Sequence, residues 1–368
     1  MLSILFYTFV LFVCFQLFYF IFVFGKIAFY KQETLSKENV KVSVILCAKN
    51  EEENLRKFLP SIINQDYPEF EIVLINDASY DDTLLVMEDF ALKHNNIKIV
   101  DVKNNEAFWA NKKYALTLGI KAAKHQYLLF TDADCEPKSQ YWIKEMCSHF
   151  DKGKTIVLGY GAYKKIKNSF LNKLIRFETV LTAMQYISFA KMGLPYMGVG
   201  RNLAYTKETF FNANGFMTHM HIKSGDDDLF VNQVANAKNT AISLTPESFT
   251  VSVPKKTFSS WIVQKKRHIT TAKYYKTTHK IVLSLYYMSQ ASFWLLALTL
   301  LIFLFQWKIV VALIAFRFLI QYITFFNATK KLQETDLILL IPILDFFLVA
   351  MQLTIFISNL FSKPKHWK

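Results

Sequence analysis

Glycine and proline are scarce in this sequence, ten and eight among 368 residues, and cysteine is scarcer, at four. With so few chain-breakers and no repeat or low-complexity stretch, long flexible linkers are not expected. Cys14, Cys47, Cys135 and Cys147 form no CxxC pair and no zinc-type spacing, which argues against a disulfide framework or a structural zinc site. The three thiols in the middle of the chain suit a reducing cytoplasm. Acids are also outnumbered, 29 against 43 Lys and Arg, for a net charge of +14. Such an excess can signal nucleic acid, but here its placement points elsewhere. Eight Lys or Arg and no acid lie between Lys255 and Lys280, directly before a long apolar run, where basic residues attract lipid headgroups and phosphates.

What the chain has in abundance is apolar surface: 52% hydrophobic residues, 35 of them Phe. Leu2–Phe24 is almost wholly apolar and meets the roughly 20-residue length of a membrane-spanning helix. No Lys or Arg precedes it and no small-x-small site follows, so an anchor over 1–25 is expected rather than a cleaved leader. Lys26, Lys31, Lys37 and Lys41 follow, placing the amino terminus outside and the middle of the chain in the cytoplasm. Three further apolar stretches, roughly 283–306, 309–326 and 337–361, make a carboxy-terminal membrane region over 281–361. Three crossings would put the tail outside, yet the basic tail 362–368 favours the cytoplasm. Pro342 and Asp345 interrupt the last stretch, so it is either a span or a re-entrant hairpin.

Between these regions, a domain over 38–275 alternates β-rich runs (Val42–Cys47, Glu71–Ile75, Ile97–Val102, Tyr127–Phe130) with helical patterns (51–64, 81–94, 111–123). A βαβαβαβ series with short apolar strands implies a mainly parallel sheet covered by helices on both faces. Ligands of such sheets bind beyond the carboxyl ends of the strands.

Those ends are polar here. Asn50 stands before an acidic helix start and is expected to cap it. Asp77 closes the second strand, where a carboxylate can accept hydrogen bonds from a nucleoside; Asp81 or Asp82 is read equally well as a cap. The fourth strand runs into Asp132-Ala133-Asp134. Residues two apart on a strand face one way, so both carboxylates can hold one hard cation, Mg²⁺ or Mn²⁺, beside a diphosphate. Asp226, Asp227 and Asp228 open a later helix, more acids than a cap needs, and their repulsion raises the proton affinity of at least one, as suits a general base. Gln264, Arg267 and His268 share a helix face and can meet an acceptor or pyrophosphate, or form a plain basic juxtamembrane helix. His219 and His221 are read either as a metal ligand or as ordinary loop histidines.

Taken in order over about residues 40–270, these segments resemble the family 2 glycosyltransferases, in particular the membrane-integrated branch of polysaccharide synthases and ceramide glucosyltransferase. The resemblance implies an α/β GT-A fold, a mostly parallel sheet flanked by helices, together with transmembrane helices. It implies an inverting transfer from a nucleotide-diphosphate sugar, a UDP-sugar by first expectation, to a lipid or glycan acceptor at the plasma membrane, with the catalytic domain cytoplasmic. Asp77 and Lys112 then face the nucleotide, Asp132 and Asp134 hold the metal, and Asp227, or Asp226 under the other register, is the base. The family's QxxRW reads here as Gln264, Arg267 and His268, with His in place of Trp, and that departure favours a single transfer over processive synthesis. Asn76 stands where many relatives carry Asp, and Met197–Asn202 resembles the family's small-residue acceptor loop. A non-catalytic membrane scaffold with a degenerate nucleotide site is the alternative of another class.

Overall fold

The computed structural model describes residues 1–31, 39–103, 112–222 and 224–361. The basic tail, Lys37 and Asn111 lie outside the described residues. The chain divides into two compact units. One draws on the described residues of Gln32–Lys164 and Gly193–Pro254 and carries the sheets. The other comprises Met1–Lys31, Lys165–Met192 and the described residues of Lys255–Pro364. The single run 38–275 expected from the sequence is thus divided. Helix Phe170–Lys191 buries residues on nearly every face, which a helix at the surface of a soluble domain would not do.

In the sheet unit, β1 (Val42–Ala48), β2 (Phe70–Asp77), β3 (Ile97–Val102) and β4 (Tyr127–Asp132) alternate with helices Glu52–Ile63, Thr83–Lys93 and Lys112–Ala122. β1 pairs parallel with both β2 and β4, and β2 with β3. The strands follow from their composition: Val, Ile and Leu residues at 0–1% exposure fill both faces of β1 and β2, as a doubly covered parallel sheet requires. Beyond them come β5 (Cys135–Pro137), β6 (Ile156–Leu158), β7 (Gly161–Tyr163), β8 (Leu203–Thr206), β9 (Thr240–Ile242) and β10 (Thr250–Ser252). The large sheet runs β3-β2-β1-β4-β8-β6-β9, with β8 antiparallel to both neighbours. A small sheet, β5-β10-β7, stands beside the end of β4. The parallel half was legible as alternation; the strands of three or four residues in the second half are too short to show a period.

The first two helix starts are built differently from the expectation. Asn50 does not cap its own helix: it sits at φ 54°, and its Oδ1 accepts from the Tyr80 amide at 3.0 Å. The amides at the start of helix Glu52–Ile63 are served from the start of the next helix and the loop before it, Glu51 N by Thr83 Oγ1 at 2.8 Å and Glu52 N by Asp81 Oδ2 at 3.4 Å. Asp81 also accepts from Thr83 N at 3.1 Å, so of the two cap candidates Asp81 does the capping, for both helices.

Among the described residues, the other unit holds four helices long and apolar enough to cross a membrane, Leu2–Ala28, Thr277–Ile302, Trp307–Leu332 and Thr335–Ser358, which suggests membrane association. The last apolar stretch is not a hairpin. Ile341–Phe361 is one helix, and Pro342 falls in its first turn, where the missing N–H costs nothing. Asp345 is buried and paired with Arg317 at 3.1 Å.

Candidate active site

β1, β2 and β4 end side by side, with Ala48 opposite Asn76 and Cys47 opposite Asp132. That register brings Lys49, Asp77 and Asp132 to one edge of the sheet. Lys49 Nζ lies 4.0 Å from Asp77 Oδ2. Burial raises the Asp77 pKa, and the Lys49 and Lys112 charges oppose the rise. Asn76 is occupied with the protein itself: its Nδ2 donates to Asp101 Oδ1 at 2.7 Å and its Oδ1 accepts from Ser79 N at 3.2 Å. It shapes the loop after β2 and leaves Asp77 as the carboxylate beside Lys49.

Asp134 is not on the strand. It lies in the tight turn between β4 and β5, so the alternation of a strand does not explain its placement; the turn folds it back. The result is the expected convergence all the same, with ligand atoms of Asp132, Asp134 and Cys135 within 4.8 Å of one another. Burial and the Asp132 charge both raise the Asp134 pKa. The Cys135 thiol, raised by burial and by the two carboxylates, stays protonated and lies 2.9 Å from Ser252 Oγ. The donor set is therefore two hard carboxylate oxygens whose mutual repulsion a divalent cation would relieve, and the residues fit Mg²⁺ or Mn²⁺.

Lys112, at the start of helix Lys112–Ala122, ties this group to the later acids. Its Nζ is 2.9 Å from Asp132 Oδ1 and 3.2 Å from Asp226 Oδ2. Burial disfavours the ammonium, but Asp132 and Asp226 outweigh it and hold its pKa well above the usual value. Asp227 is the N-cap of helix Asp228–Val234. Its Oδ1 accepts from Asp228 N and its Oδ2 from Gly200 N, each at 2.7 Å. Burial, with the charges of Asp226 and Asp228, lifts its pKa to about 7. Glycine at 200 eases this approach, since a Cβ there would lie 3.3 Å from Asp227 Oδ2 and press on the carboxylate. A pocket lined by Cys47, Lys112, Asp132, Gly200, Asp226 and Asp227, among others, opens over these groups.

The structure therefore gathers Lys112, Asp132, Asp134, Asp226 and Asp227 in one unit, with Asp77 along the same sheet edge. Gln264, Arg267 and His268 lie on helix Phe258–Ala272 and belong to the unit of apolar helices. His219 is buried, with Nδ1 3.1 Å from Phe216 O, outside the converging group of Asp132, Asp134 and Cys135. Arg201 was not singled out from the sequence. It stacks on Tyr163 at 4.4 Å and donates to Gly161 O at 2.7 Å, and its carbonyl accepts from Thr131 and Thr250. It thereby joins the end of β4 to the small sheet behind the carboxylates. A lone arginine within a run of small residues was the one available signal.

Comparison with known proteins identifies the family and the fold. The family model for glycosyl transferase family 2 matches residues 43–217, and that for glycosyl transferase family group 2 matches residues 139–351, more than half of the chain. A poly-β-1,6-N-acetyl-D-glucosamine synthase of Staphylococcus epidermidis is 39% identical over 93 residues, 25% of this chain and 21% of its own length. An uncharacterised glycosyltransferase of Haemophilus influenzae is 35% identical over 125 residues, 34% of this chain and 37% of its own. The chain thus spans between a fifth and two fifths of the length of these relatives. Among solved structures, the mannosyltransferase PcManGT from Pyrobaculum calidifontis, in complex with GDP-Man and Mn²⁺, superposes with a TM-score of 0.64 at 16% identity, covering 98% of this chain and 99% of that one. It shares the fold. The chain belongs to the family 2 glycosyltransferases, with a GT-A domain and long apolar helices.

Proposed function

We propose that the chain moves one sugar from a nucleoside-diphosphate donor to a hydroxyl of a lipid or lipid-linked acceptor by a single inverting displacement, on the cytoplasmic side of a membrane. The observation that carries this reading is the Lys112 ammonium, which spans Asp132 on the donor side and Asp226 on the acceptor side. A cation fixed between two sets of acids suits a reaction in which a departing diphosphate and an attacking hydroxyl must lie within a few ångströms of each other.

In this reading Asp77 and Lys49 meet the nucleoside at the end of β2. Asp132 and Asp134 hold a divalent cation, which when bound offsets charge on the diphosphate. Lys112 adds a fixed positive charge to the same oxygens. The acceptor hydroxyl forms the new bond at the anomeric carbon as the bond from that carbon to the diphosphate oxygen breaks. The hydroxyl proton passes to Asp227, whose carboxylate keeps lone pairs beyond those used by the two backbone amides. Gln264, Arg267 and His268 are assigned to the pyrophosphate or acceptor.

The test is transfer from radiolabelled nucleotide sugars, UDP-linked donors first, to extracted membrane lipids with Mn²⁺ or Mg²⁺. Chelation of the cation and Asp134→Ala are each expected to lower transfer at least 100-fold and to abolish cation-dependent nucleotide binding. Products bearing a single sugar support this reading; long polymers would favour a processive synthase, and no transfer with any donor would favour the scaffold.

A further inference from the structure

Lys113, the neighbour of Lys112, is 1% exposed, and the reaction proposed above gives it no part. A buried ammonium is costly, and a methionine would fill the same volume without that cost. Its ammonium donates to His219 O at 2.7 Å and to Ile222 O at 3.1 Å. The first of these carbonyls ends the short turn Met217–His219, and the second lies three residues further on, where Ile222 N in turn donates to His219 O at 3.1 Å. Lys113 thus caps the turn much as a basic side chain caps the carbonyl end of a helix.

The position of that turn matters because the acidic segment begins four residues after Ile222, at Asp226. The upstream side of the turn is pinned by packing: Phe216 sits edge-on to Phe210 at 5.0 Å and to Phe230 at 5.7 Å. On its downstream side, Gly225 at φ 93° turns the chain against Leu229. Lys113 holds the described residues up to Ile222 between these two points. Its pKa, lowered by burial and sustained by Asp226, Asp228 and Asp227, places its charge among the three acids. Two consecutive residues at one helix start therefore do complementary work, since successive side chains leave a helix about 100° apart. Lys112 reaches the carboxylates, and Lys113 reaches the backbone that carries them.

We propose that Lys113 is a positioning residue for transfer: by tying the His219 and Ile222 carbonyls it sets where Asp226 and Asp227 stand, without touching the substrate. The inference rests on the transferase reading above. Lys113→Met removes both hydrogen bonds and the charge, whereas Lys113→Gln keeps an N–H donor without the charge. With the full-length protein in micelles, Met is expected to lower kcat by 10- to 100-fold, while nucleoside-diphosphate affinity, measured by fluorescence with Mn²⁺, stays within threefold of wild type. Gln is expected to recover part of the loss. Hydrogen exchange should quicken at residues 216–228 and not in β1 to β4. Unchanged kcat, an equal loss of nucleotide affinity, or exchange spread over the whole sheet would overturn the proposal. If wild type itself transfers nothing, the transferase reading fails, while the exchange measurement still decides whether Lys113 holds this segment.

Discussion

Asp227 and Asp226 are adjacent acids with different surroundings, and that difference can be measured. Asp227 is raised to about 7 by burial and by its acidic neighbours, so as the base it must lose its proton before it can accept one from the acceptor. Turnover is therefore expected to fall about tenfold per pH unit below 7 and to level off above it. Asp227→Asn should remove at least 100-fold of kcat at every pH and leave donor binding intact. Asp226→Asn, which takes away one of the charges that raise Asp227, should keep measurable turnover and move the acid limb to lower pH. If Asp226→Asn abolishes transfer and Asp227→Asn spares it, the roles are reversed. The sign for stability is opposite to that for activity. The folded state keeps the Asp227 proton up to about pH 7 while an unfolded chain releases it near its ordinary value of 3.8, so this group's contribution is present at acid pH and fades as pH rises through that window. The acid cluster was legible because charge repulsion follows from composition alone. Which acid accepts the Gly200 amide was not, because that residue lies 27 positions earlier.

At the scale of elements, the strand ends were readable and the helix starts were not. Apolar runs of four to six residues ending in polar ones announce parallel strands and their ligand edge. Asn50 had the chemistry of a cap, but a cap is chosen by geometry, and the left-handed turn at Asn50 sends its side chain to Tyr80 instead. The two helix starts interlock through Thr83, which is fully buried and accepts the Glu51 amide. Thr83→Val keeps the volume and deletes the hydroxyl that accepts from that amide. A loss of about 1–3 kcal/mol is expected, a few degrees in Tm for a unit of this size. Thr83→Ser, which restores the oxygen, should recover most of it. Thermal unfolding of the three proteins side by side checks this; equal Tm for Val and Ser would show that the hydroxyl does not hold the helix start.

For the molecule as a whole, the sequence announced four apolar segments but not what holds them together. Asp345 looked like a flaw in the last one. It is the centre of a buried polar cluster to which every apolar helix contributes: Arg317 donates to Asp345 Oδ2 at 3.1 Å and to Gln16 Oε1 at 2.6 Å, and Gln290, Trp294 and Gln321 donate to Asp345 at 2.7, 3.0 and 3.3 Å. Arg317 also lies over the rings of Phe293 and Phe318, each at 4.6 Å. The partners are as far apart as 301 residues in sequence, so no local pattern could reveal the pairing. A charge among apolar helices is tolerated only when paired, and removing one partner strands the other. Arg317→Met or Asp345→Leu alone is therefore expected to cost about 3–5 kcal/mol, enough to lower the yield of folded protein from membranes. The double variant leaves no stranded charge and should be more stable than either single one. Thermal unfolding of the three variants in one detergent measures the coupling. If the double variant loses the sum of the two single losses, Arg317 and Asp345 act separately, and the pairing of their charges is not what holds the helices together.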